Sequence, residues 1–132
     1  MRTLPLLLPI LFAGTALADP RVEVFTDHAH PLTHTEAFTR LTVYRIDGLA
    51  HAQDQLSEGL PADEDAAAEI ASSRLAAHPD LKDRMMEAGQ GLALAHLQYR
   101  LDRYPAIVLD GTSVIYGVTD LAVAKRLYGS RQ

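Results

Sequence analysis

The chemistry open to this chain is concentrated in one segment, Asp27-His28-Ala29-His30-Pro31-Leu32-Thr33-His34, which holds three of its six histidines. Imidazole is a common ligand for zinc and copper, so the His28, His30, His34 spacing invites a metal-binding reading. Against it, no cysteine completes a set and the loop matches no established ligand spacing, so solvated histidines are the ordinary alternative. His28 or His30 beside Asp27 also offers two members of a hydrolase triad, a constellation recognised by geometry rather than chain position. Ser113 has no Gly-x-Ser-x-Gly elbow around it. The carboxylates Asp63, Glu64 and Asp65 suit the first turn of a helix without any catalysis. The chain has no cysteine, so thiol oxidoreductase, peroxidase and isomerase chemistry lacks its nucleophile. These residues predict a non-enzymatic protein with no cofactor, a metal-binding role second and a hydrolase third.

Bulk properties narrow the class further. A net charge of −5 argues against nucleic acid as a partner, because phosphate binding needs a basic surface. Residues 1–18 read as a cleaved signal peptide: Arg2, an apolar run from Leu4 to Phe12, then Ala16-Leu17-Ala18 as a small-x-small cleavage site. The run is too short for a stable spanning helix, and no second one follows, so no lasting membrane insertion is expected. Residues 19–132 remain as one domain, with net charge −6 once Arg2 is lost and no disulfide to staple it.

The elements that must position these residues follow from periodicity. Arg21 to Thr26 alternates and is rich in β-formers, so it predicts a first strand. Thr33-His34-Thr35-Glu36 fits a capping box and predicts a short helix from Thr33 to about Arg40. Leu41 to Ile46 alternates again, completing a parallel β-α-β unit. A helical insertion follows over about 48–103. Asp47 caps a helix bearing Leu49, Ala52 and Leu56. Pro61 to Asp65 opens a second helix with Ala66, Ile70 and Ala77 broadly on one face. A third helix carries the stripe Leu81, Met85, Ala88, Leu92, Ala95 and Tyr99, with Gly89 and Gly91 marking a kink or a close packing contact. Pro105 then opens the strand Ala106 to Leu109, Asp110-Gly111 turns it, and Val114 to Tyr116 returns. Thr119 caps a final helix with Leu121, Ala122, Ala124 and Leu127.

This order, with a proline before the third strand, resembles the thioredoxin fold. Val24-Phe25-Thr26-Asp27 is similar to the strand end that precedes Cys-x-x-Cys in periplasmic disulfide isomerases, and His30-Pro31-Leu32-Thr33 stands at the four motif positions. Pro105 resembles the cis-proline that faces that motif. More narrowly, Val22 to Asp27, Val43-Tyr44-Arg45, Gly59-Leu60-Pro61, Tyr104 to Val108 with Asp110-Gly111, and Tyr116 to Asp120 are similar to a family of small exported proteins of integrating conjugative elements. That family is thought to resemble TrbC-type periplasmic components of F-type conjugation systems. The resemblance implies a periplasmic, thioredoxin-like α/β domain without Cys-x-x-Cys. It also implies a role in a type IV secretion apparatus, with other periplasmic or outer-membrane transfer components as partners.

On that fold a peptide-contact surface would run across the helix start at His30 to Thr33 and the backbone before Pro105. His28, His30, Thr33, Tyr104 and Pro105 are therefore the candidate partner-binding residues, Tyr104 as an amphipathic ring suited to interfaces. The bland alternative is that Tyr104 packs the core, Thr33 merely caps a helix and Pro105 is structural.

Overall fold

In a computed structural model that describes residues 18–132, β1 (Val22–Thr26) is buried along its whole length. β2 (Leu41–Arg45) pairs with it in parallel, β3 (Ala106–Leu109) antiparallel, and β4 (Ser113–Tyr116) pairs antiparallel with β3. The result is a four-stranded mixed sheet in the order β2-β1-β3-β4. Like β3, β1 has neighbours on both edges and cover on both faces. Between β2 and β3 lie α1 (Gly48–Ser57), α2 (Glu64–Ala77) and α3 (Pro79–Ala93), the last running on through a π-helical turn at Leu94–Gln98. α4 (Leu121–Gly129) closes the chain. No helix among the described residues is long and apolar enough to cross a membrane. The expected signal peptide lies outside the described residues apart from Ala18.

Because strand side chains alternate, the sheet builds two cores. On one face Val22, Val24, Ile107, Leu109 and Ile115 meet Leu121 and Ala124 of α4, with Phe38 at the edge. On the other, Phe25, Tyr44, Ala106 and Val108 meet Ala95 and Leu101. The α3 backbone comes close to the sheet at Gly91. A Cβ there would lie 2.6 Å from that of Tyr44, so the expected close contact is real and a methyl group has no room. Gly48 plays the same part between α1 and α3, where a Cβ would meet that of Ala88 at 2.9 Å.

The expected helix from Thr33 to Arg40 is absent; in its place a single 3-10 turn spans Thr35–Ala37. Thr33 forms a parallel bridge with Asp120: its N–H donates to the Thr119 carbonyl at 3.0 Å, and its own carbonyl accepts from Leu121 N–H at 3.0 Å. The bridge gives the Thr33 N–H and carbonyl partners in the 119–121 segment, and no α-helix follows it. His34 takes the N-cap place in left-handed geometry (φ 53°) with no side-chain capping bond. His30 to Thr33 is therefore not the start of a helix.

Two further expectations shift. Asp120, not Thr119, caps α4, accepting from Ala122 and Val123 N–H at 2.9 and 3.3 Å. The expected inner face of α2 is not one: the helix buries no residue, and Ile70 is exposed. Its large apolar residues Ile70 and Leu75 lie off the half-buried side, which is made of Ala66, Ala67, Ala71 and Arg74, so little apolar area is buried there. The Asp110-Gly111 turn stands as read, both residues having positive φ (50° and 74°) as a type I′ turn requires.

Candidate functional site

The loop after β1 delivers its histidines to three different carboxylates. His30 Nδ1 lies 2.6 Å from Asp27 Oδ1, His34 Nδ1 2.9 Å from Asp120 Oδ1, and His28 Nδ1 2.9 Å from Asp47 Oδ1. The three rings are thus dispersed, and His28, His30 and His34 do not form one ligand set. Each is exposed and held through one nitrogen. Burial pulls the Asp120 pKa upward, but the His34 ring and the Val123 and Ala122 N–H groups outweigh it and hold the carboxyl below its ordinary value. Among the described residues no serine or threonine hydroxyl is hydrogen-bonded to any of these rings.

A second grouping brings together residues far apart in sequence. Asp47 stands at the N-cap of α1, yet its carboxylate makes no capping bond. Instead Oδ2 accepts the His28 backbone N–H at 3.0 Å and lies 3.2 Å from His51 Nε2, while Oδ1 meets His28 Nδ1. The two imidazoles lie edge to face with centroids 4.3 Å apart. His51 is one helical turn beyond Asp47, which puts both on the same side of α1. Burial tends to raise the Asp47 pKa, but the His28 N–H, the His28 ring and the charges of both imidazoles prevail and hold it low. His28 and His51 stand on the wall of a cavity of about 500 Å³ between the outer edge of β2 and helices α1 and α3. Arg45, Gln55, Arg84 and Glu87 supply its other polar lining, and Val43, Ala52, Leu81 and Ala88 its apolar floor.

Beside the end of β1, where Phe25 pairs with Ala106, the Tyr104-Pro105 bond is cis and opens β3. The Pro105 carbonyl accepts Gly117 N–H at 2.9 Å, and Pro105 itself is buried. Tyr104 packs, half-buried, against the aromatic core; its hydroxyl is enclosed without a hydrogen-bond partner, and burial, then Tyr116, raises its pKa. Of the five candidate contact residues, then, His28, His30 and Thr33 are exposed, while Tyr104 and Pro105 are largely taken up by packing. No hydrogen bond among the described residues joins these two groups.

Asp47 entered the sequence reading only as a cap, and His51 not at all. The available signal was their spacing of four on one helix face. Nothing in the sequence pairs them with His28, because that contact depends on how β1 and α1 sit beside each other.

No curated protein and no solved structure matches this chain. A family described as a protein of unknown function (DUF1525) matches residues 19–132. The chain belongs to that family.

Proposed function

We propose that this protein is a thiol-free, thioredoxin-like module that acts by protein contact in the periplasmic part of a conjugative transfer apparatus, the type IV secretion system of an integrating conjugative element. The observation that carries the fold half of this reading is the sheet itself. A parallel β1–β2 pair, an antiparallel β1–β3 pair, a β3–β4 hairpin and Pro105 at the head of β3 support the arrangement to which the motif resemblance leads. At the redox position His30-Pro31-Leu32-Thr33 offers no thiol, so contact is the activity left to that surface. The exposed His28, His30 and Thr33 make up its accessible part, and Tyr104-Pro105 supports it from the core side.

A donor strain lacking the gene tests the role. Transfer falls in the deletion and returns with the wild-type copy, and crosslinking from complemented donors recovers other transfer components. Normal transfer by the deletion strain sinks the conjugation reading. A His30→Ala, Thr33→Ala copy that folds and is exported but restores no transfer supports the contact surface; full restoration moves it elsewhere.

A further inference from the structure

We propose that His28, Asp47 and His51 form a binding site for one divalent transition-metal ion of the zinc class, with an open coordination position served by the adjoining cavity. The site goes beyond the assembly role and stands or falls independently of it.

The donor set is two imidazoles and one carboxylate, a nitrogen-rich combination that suits zinc, copper or nickel and not calcium or magnesium. Its spacing is close to what an ion requires. Nitrogen and oxygen ligands about 2.0–2.2 Å from a tetrahedral zinc lie roughly 3.3 Å from one another. Here the Asp47 carboxylate lies 2.9 Å from His28 Nδ1 and 3.2 Å from His51 Nε2, and the three donor atoms fall within 4.8 Å of each other. Both imidazoles are more than half exposed, so small ring rotations suffice to bring them around an ion.

The behaviour of Asp47 is the second observation. An aspartate at an N-cap ordinarily turns its carboxylate back to the N2 or N3 amide. Asp63 and Asp120 do so at α2 and α4. Asp47 forgoes that bond, and its carboxylate is turned to the two imidazoles instead. The His28 backbone N–H fixes one of its oxygens, as an outer partner orients a metal ligand. Three protein ligands leave a fourth position for water or an exchangeable ligand, the arrangement of open rather than closed structural sites. The 500 Å³ cavity on whose wall both imidazoles stand gives that ligand room, with Arg45, Gln55, Arg84 and Glu87 as its polar lining.

Calorimetric titration of the untagged protein with zinc chloride tests the site, with His51→Ala, His28→Ala, His30→Ala and His34→Ala in parallel. The expected result is one ion per chain at micromolar or tighter affinity. It should weaken by at least about tenfold in His51→Ala and in His28→Ala, since even outer-shell partners command tenfold to a hundredfold. His30→Ala and His34→Ala should leave it unchanged. Histidine side-chain NMR of the wild type provides a reading that needs no variant: the His28 and His51 resonances move together on zinc addition. Absence of saturable binding, unaltered affinity in both His28→Ala and His51→Ala, or loss on changing His30 or His34 overturns the proposal.

Discussion

The two faces of the sheet are built from different materials. The face under α4 is mainly aliphatic and closed: Val22, Val24, Ile107, Leu109 and Leu121 are fully buried and carry no polar side-chain atom, with Phe38 the one buried aromatic ring in the cluster. The opposite face is aromatic and polar. Phe25 stacks on Tyr44 at 5.2 Å and meets Tyr99 edge-on at 5.8 Å, while Glu23, on the central strand, accepts the Tyr99 hydroxyl and lies 3.7 Å from the Arg21 guanidinium. Aliphatic burial is non-directional and stabilises by area, whereas a buried carboxylate is tolerated only while its partners stay in place. One face therefore secures the fold, and the other ties it to specific side-chain positions.

The largest test of that contrast is Leu121→Ala on the aliphatic face. It should cost about 2–5 kcal/mol in urea denaturation, the range for buried leucine truncation. A loss near zero would mean that α4 is not the main cover of this face. On the aromatic side, Gly91→Ala should cost about 1–3 kcal/mol by forcing Tyr44 away from the new methyl, the usual effect of overpacking. A crystal structure of the variant should find the Phe25–Tyr44 stack displaced; an undisturbed stack contradicts the close contact.

Tyr99→Phe removes the hydroxyl that Glu23 relies on and should cost about 1–3 kcal/mol at neutral pH, read from the same denaturation curves. This face also carries an alkaline signature. Burial first, then Glu23, raises the pKa values of both Tyr44 and Tyr99 above 10.0. A raised folded pKa contributes stability that is present below the unfolded value and lost as pH rises through the folded one. Stability should therefore decline as pH rises above 10.0, and Tyr99→Phe should make that alkaline loss shallower. An identical alkaline profile in the variant removes Tyr99 from the account.

Asp120→Ala should have a smaller effect, lowering Tm by a few degrees through loss of the α4 cap and the His34 contact. Its sign with pH is opposite. A depressed carboxyl pKa contributes stability present above the unfolded value of 3.8 and lost as pH falls through the folded one, so the variant should show a weaker acid dependence. Smallest of all is Tyr104→Phe. Its hydroxyl is enclosed without a partner, so removal should leave stability unchanged or slightly higher. A clear loss would reveal a hydrogen bond to that hydroxyl.

Much of the framework was legible because it rests on local pattern. Alternation marks β1 and β2, Pro105 and Asp110-Gly111 mark the hairpin of β3 and β4, and the stripe from Leu81 to Ala95 marks the buried side of α3. Legibility failed where a residue had two local uses and a distant partner chose between them. Thr33 reads as a capping residue but is taken by its bridge to Asp120, and Thr119 yields its capping place to the next residue. Asp47 reads as a cap but faces two histidines. In α2 the pattern itself is weak, and the helix stays at the surface.

What the sequence determined by itself is the absence of thiol chemistry, the order of the four strands with helices between β2 and β3 and after β4, and the presence of three histidines after β1. Composition and short-range periodicity are properties of the chain alone. The tertiary structure decided which carboxylate each histidine meets, separated His28 from His30 and His34, and joined it to Asp47 and His51. Those contacts depend on how β1 lies against the start of α1. That placement is set by burial of the whole sheet rather than by any residue in the loop.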